Sequence, residues 1–184
     1  MTVVKQTQEF SLCLFPEADW SNKLLAFRSQ LADSPYRDDP PHMTLLRGIT
    51  APMPLDDTEL IQAIQSITRI ESTLPMVATV SDVANKSNHL YSSSSGLLLE
   101  PEAALTVFRR RLTSSLQEHG FFIEQAELDS FLAHITIRLG VPLHGELLAH
   151  AKDKFVGTTV NLTSWAIFRL ELNDEARQMR QVQP

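Results

Sequence analysis

The stretch FLAHITIRLG, residues 131–140, repeats what DPPHMTLLRG, residues 39–48, has already said. Each reads His, apolar, Thr, apolar, and closes on Gly. His134 lies 92 residues after His42, Thr136 lies 92 after Thr44 and Gly140 lies 92 after Gly48, half of the 184-residue chain. A period that long is no solenoid. It fits two related lobes that face each other.

The segments around the two copies follow one order. Phe10–Phe15 is a short apolar run closed by Pro16 and reads as a strand. Trp20, Leu24, Phe27 and Leu31 fall on one helical face. Three prolines and an Asp pair make 33–41 a loop, and His42–Ile49 is the next strand. Asp56, with Glu59 three residues on, opens a helix whose apolar face is Leu60, Ile64 and Ile67. Leu74–Val83 is rich in strand formers. In the second half Leu97–Leu99 reads as a strand, and Pro101 and Glu102 suit a helix first turn. Leu105, Phe108, Leu112 and Leu116 are that helix's stripe, and Gly120 is its stop. Phe131–Leu139 is a strand, and Leu147, Leu148, Ala151 and Phe155 mark a helix. Thr158–Leu172 is one long strand or two. Each half thus reads strand, helix, strand, helix, strand. The lobes divide at about 1–90 and 91–184, inside the polar stretch Asn85–Gly96, an exposed hairpin or a loop.

Side chains two apart on a strand point to one face. His42 therefore shares a face with Thr44, and His134 shares one with Thr136, while Met43, Leu45, Ile135 and Ile137 point into apolar packing. Arg138, four past His134, joins the His/Thr face, where a guanidinium meets phosphate charge. Arg47 is five past His42, so a regular strand points it away and only a bulge returns it. Two imidazoles across a groove suit a phosphodiester. One takes a proton from the attacking water and the other gives one to the departing alkoxide. Threonine hydroxyls donate to the non-bridging oxygens. This chemistry calls for no metal and no other cofactor. A single His-x-Thr is usually structural; the matched positions of the two copies carry the functional reading.

The remaining candidates rank lower. Tyr91 shares a face with His89 if that segment is a strand, and would then stack on a base, but an exposed loop is the plainer reading. His119 places charge at a helix end, and His144 and His150 are six apart, off the spacing of a helical metal pair. Trp20 and Trp165 read as packing residues, and the run Arg109–Arg111 as the solvated face of its helix. Asp38, Asp39 and Asp129 lie near the histidines, where one would orient an imidazole or all would sit in solvated turns.

The bulk numbers narrow the setting. The net charge is −6, which argues against a broad basic surface that grips nucleic acid and leaves room for a site reading one phosphate. Cys13 is the single cysteine, so there is no intramolecular disulfide and no Cys-based zinc site. Its apolar surroundings make it a buried strand residue rather than a nucleophile. No run suits a signal peptide or a membrane span, so the expectation is a reducing, cytoplasmic setting and a monomer.

The paired motifs, HMTL and HITI, one in each duplicated unit, resemble those of the 2H phosphoesterase superfamily, in its bacterial 2′-5′ RNA ligase-like or RNA 2′,3′-cyclic phosphodiesterase branch. The likeness in order and length spans nearly the whole chain. It implies an α+β fold, bilobal, with antiparallel-rich sheets around a central cleft. It implies metal-independent opening of a 2′,3′-cyclic phosphate, at an RNA end or on a small cyclic nucleotide, leaving a 2′-phosphate, with 2′-5′ ligation as the reverse. By this resemblance His42 is the acid, His134 the base, and Thr44 and Thr136 hold the phosphate. Arg138 takes the part of an arginine that the family more often places one residue later, where this chain has Leu139. The rival readings are a nucleotide-binding module without turnover and a metal site built on the histidines, which their spacing does not support.

Overall fold

The alternating stretches become strands and the stripes become helices. The computed structural model describes residues 9–31, 38–86, 94–123, 131–173 and 176–182. In the first half β1 (Glu9–Pro16), α1 (Ala18–Arg28), β2 (Met43–Thr50), α2 (Asp57–Thr68) and β3 (Met76–Lys86) follow in order. The second half runs β4 (Ser94–Glu100), α3 (Glu102–Glu118), β5 (Phe122–Ile123), β6 (His134–Leu139), α4 (Gly145–Phe155), β7 (Thr159–Asn173) and β8 (Ala176–Gln181). The order of the first five elements recurs. The two-residue β5 and the strand β8 are additions that alternation did not disclose.

All the pairings are antiparallel. One group of strands is β5–β2–β1–β7–β8 and the other is β6–β4–β3–β7. The third strand of each half thus lies with the first two strands of the other half. The stretch 158–172 is a single strand because it serves both groups. Its start pairs β3, its middle pairs β1 and its end pairs β8. The groups meet again at one residue pair, Met43 opposite Ile135, between β2 and β6.

The core forms where the helices cover these strands. Trp20, Leu24 and Phe27 of α1, and Leu105, Phe108, Leu112 and Leu116 of α3, are buried as their spacing predicts. In α4 Ala151 and Phe155 are buried, whereas Leu147 is exposed. Helix α1 packs on β6, and α3 packs on β2 and β4. Each half's first helix therefore touches the other half's motif strand. Among the described residues no helix is long and apolar enough to cross a membrane.

Helix α2 starts as its sequence requires. The Asp56 carboxylate accepts from the Glu59 N–H at 2.8 Å, and the Glu59 carboxylate accepts from the Asp56 N–H at 2.9 Å. Two N–H groups that the first turn leaves unpaired are satisfied in this way. Asp56→Ala is expected to lower stability by about 0.5–2 kcal/mol in urea unfolding. An unchanged midpoint would contradict that role for the cap.

Candidate active site

The pairing of Met43 with Ile135 decides where the motif side chains go. Continuing that antiparallel register by one residue sets His42 across from Thr136 and Thr44 across from His134. Along β6 the burial alternates strictly: Ile135, Ile137 and Leu139 are buried, while His134, Thr136 and Arg138 are half-buried on the other face. Both imidazoles and both hydroxyls thus belong to one face of the β2–β6 seam.

The rings are held alike. His42 Nδ1 lies 2.9 Å from the Pro40 carbonyl oxygen, and His134 Nδ1 lies 2.7 Å from that of Leu132. A carbonyl only accepts, so each Nδ1 carries a hydrogen and each Nε2 is the nitrogen left to exchange a proton. The orienting group is in each case the backbone two residues upstream. No carboxylate of Asp38 or Asp39 is needed for it, and Asp129 lies outside the described residues.

Around His42 the surroundings are apolar. Its ring lies 5.8 Å from that of Phe15 and 5.7 Å from that of Phe168, and the two phenyl rings are 6.1 Å apart. Burial lowers the His42 pKa below the usual imidazole value, and the positive charge of Arg28 adds to this. The bond to Pro40 and the charge of Asp39 oppose it.

Thr44 sits opposite Cys13 of β1, whose thiol donates to the Thr44 hydroxyl oxygen at 3.8 Å. Burial pushes the Cys13 thiol up to about 12, so the S–H stays a donor. The Thr44 oxygen accepts from it and keeps its own hydrogen to give elsewhere.

Beyond Thr44 strand β2 departs from regularity. Cys13 pairs Thr44 and Leu12 pairs Leu46, which leaves Leu45 as an extra residue. Leu45 and Leu46 are both buried, and Arg47 is half-buried like Thr44. The bulge therefore returns Arg47 to the face of Thr44, where a regular strand would have turned it away. Gly48 follows with φ of 61°, and Gly140 closes β6 with φ of 83°. The glycine that ends each motif has the left-handed backbone that glycine adopts without strain.

Two arginines were not legible as part of this site. Arg28, the last residue of α1, is fully buried. It donates to the carbonyl of Asp39 at 2.6 Å and to that of Thr136. Arg109 of α3 is buried rather than solvated, which corrects the reading of the run Arg109–Arg111; Arg110 and Arg111 are exposed. Its Nε donates to the Leu45 carbonyl at 3.0 Å, at the bulge. A signal existed for each. Arg28 continues the buried series Trp20, Leu24, and Arg109 lies four past Leu105 and three before Leu112.

Tyr91 and His89 lie outside the described residues. His119 is exposed at the end of α3, and His150 packs 5.6 Å from the Phe27 ring. Among the described residues no group of three His, Cys, Asp or Glu side chains is placed to hold a metal ion. A separate cavity of about 360 Å³, lined in part by Ile61, Gln62, Gln65 and Trp165, contains neither motif.

No family model and no curated protein matches the sequence. Solved structures match its fold. LigT of E. coli in its apo form superposes with a TM-score of 0.56 at 15% identity, covering 96% of this chain and 95% of that one. TT0787 of Thermus thermophilus gives 0.59 at 16% identity, covering 95% of each chain. A phosphoesterase gives 0.57 at 13% identity, covering 97% of each. LigT has also been crystallised with 3′-AMP and with phosphate. The likeness establishes a shared fold over almost the full chain, and it is the α+β fold that the paired motifs implied.

The placement of Cys13 has a direct chemical consequence. In the folded protein its alkylation at mildly alkaline pH should run at least about a hundred-fold slower than in urea, where the thiol regains an ordinary pKa and access. Comparable rates would show that the thiol is neither buried nor protonated.

Proposed function

We propose that the chain is a 2H phosphoesterase that opens 2′,3′-cyclic phosphates at RNA ends or on small cyclic nucleotides. One observation carries this reading. Two imidazoles, each oriented by its own upstream carbonyl, stand on strands that touch at Met43 and Ile135, with a threonine hydroxyl across from each.

In the proposed reaction the non-bridging oxygens of the phosphate accept from the Thr44 and Thr136 hydroxyls. Arg138, and Arg47 brought round by the bulge, add positive charge where negative charge accumulates. His134 Nε2 takes a proton from water as its oxygen attacks phosphorus. The bond from phosphorus to the 3′ oxygen breaks, and His42 Nε2 supplies that oxygen with a proton. The product carries a 2′-phosphate, and the two imidazoles have exchanged protonation states. With a 5′-hydroxyl in place of water as the attacking group, the same steps join two ends through a 2′-5′ linkage. The Phe15 and Phe168 rings offer a flat apolar neighbour for a base.

Burial lowers the His42 pKa and so favours the neutral ring in the empty site. A bound phosphate carries negative charge and raises the pKa of an adjacent imidazole. Binding and protonation of His42 are therefore coupled in this account. An acid must be protonated, so its ionisation contributes the fall in rate with rising pH. The His42 ionisation should lie below the ordinary imidazole value in the empty enzyme, which kcat/KM reports, and higher in the complex, which kcat reports. Loss of the acidic limb in His42→Ala would reverse the two roles.

The function itself is tested by turnover. His42→Ala and His134→Ala are each expected to lower kcat on a 2′,3′-cyclic nucleotide by about two to four orders of magnitude with the fold intact. Phosphorus NMR of the product should find a 2′-phosphate. Tight nucleotide binding by calorimetry, with no product after long incubation, would instead make this a binding module.

A further inference from the structure

A second repeat runs through the chain, on the helices. Leu24, Phe27, Arg28 and Leu31 recur as Leu105, Phe108, Arg109 and Leu112, giving Leu-x-x-Phe-Arg-x-x-Leu twice, 81 residues apart. All eight of these side chains are buried. The apolar members are helix stripe. The arginines need another account, because taking a guanidinium out of water costs more than burying an apolar side chain of its size.

Their partners supply it. At the Met43–Ile135 crossing the strands run antiparallel, so residues 39–42 and 136–138 lie to one side and residues 44–47 and 131–134 to the other. Arg28 binds carbonyls on the first side: Thr136 of the second motif and Asp39 just ahead of the first. Arg109 binds the second side, through the Leu45 carbonyl of the first motif strand, and its guanidinium lies 4.9 Å from the centre of the Phe131 ring just ahead of the second. Asp39 stands three residues before His42, and Phe131 three before His134. Each arginine is anchored on one half's helix and bonded to the other half's motif strand.

We propose that Arg28 and Arg109 are a duplicated pair of positioning residues that brace the two motif strands from either side of their crossing and so fix the separation of the two imidazoles. This rests on the phosphodiesterase reading and adds a determinant to it. One residue pair joins β2 to β6, so that pairing alone leaves the strands free to splay. A guanidinium presents several donors in one rigid plane and holds two acceptors at a set spacing. A lysine ammonium does not.

The charged and titratable groups near His42 are Arg28 and Asp39 beside it and His134, Arg138 and Arg47 on the shared face. Of the two braces only Arg28 is among the groups that shift its titration. The pair therefore makes separable predictions.

The test uses Arg28→Lys, Arg28→Met, Arg109→Lys and Arg109→Met in the full chain. Turnover is measured on a 2′,3′-cyclic nucleotide, with circular dichroism to establish folding. Each folded variant should lose about ten- to hundred-fold in kcat with little change in KM, the penalty of misplaced reacting groups. Backbone amide spectra should show Arg28→Met shifting signals around Thr136, in the opposite half, and Arg109→Met shifting those around Leu45. The His42 ring should titrate higher in Arg28→Met and unchanged in Arg109→Met. Folded lysine and methionine variants with kcat within about twofold of the parent would overturn the proposal. So would variants that all fail to fold, which would make both arginines matters of stability alone. If the parent turns over no cyclic phosphate, the enzymatic reading fails by itself. The brace is then judged by the amide spectra, and shifts confined to the mutated half overturn it.

Discussion

One residue pair, Met43 against Ile135, holds the two motif strands together, and the candidate chemistry depends on it. The motifs are far apart along the chain and belong to different halves. Their strands meet without forming a ladder. Because the meeting point is the residue between His and Thr in each motif, the flanking side chains of both strands emerge on the same face. A shift of one residue in either strand would send one imidazole into the apolar interior and an isoleucine or methionine into the site. The buried Met43 and Ile135 resist that slip, since neither gains from exposure.

The exchange of third strands supports the same geometry. Strand β7 crosses from β3 to β1, and β3 lies beside β4, so neither half is complete without the other. The helices repeat the theme, α1 lying on β6 and α3 on β2. A site made from both halves is then held by the body of the protein rather than by a hinge. That suits acid–base catalysis, in which small errors of placement are costly.

Local periodicity carried much of this. The two-residue alternation of 134–139, the capping box at Asp56 and the stripes of α1 and α3 depend on neighbours in sequence, and all were legible there. What depends on pairing partners was not. The bulge at Leu45 is invisible in LLRG, because the extra residue exists only relative to β1. The two residues of β5 are a strand because β2 lies beside them. Arg109 looked solvated because its neighbours Arg110 and Arg111 are; its place on the stripe of Leu105 and Leu112 was the stronger clue. Arg28 lies on the stripe of Trp20 and Leu24 in the same way, and its carbonyl partners Asp39 and Thr136, distant in sequence, are what make it a buried donor.

For the proposed reaction an acidic chain needs its positive charge placed rather than spread. Here four arginines gather at the seam: Arg47 and Arg138 on its half-buried face, Arg28 and Arg109 buried beside it. The central claim is that the two imidazoles address one phosphorus atom. A crystal structure with a nucleoside 2′-monophosphate, the proposed product, tests this most directly. The account predicts a single phosphate within hydrogen-bonding reach of both Nε2 atoms and both threonine hydroxyls. A phosphate bound to one motif only, or held elsewhere on the molecule, would contradict it.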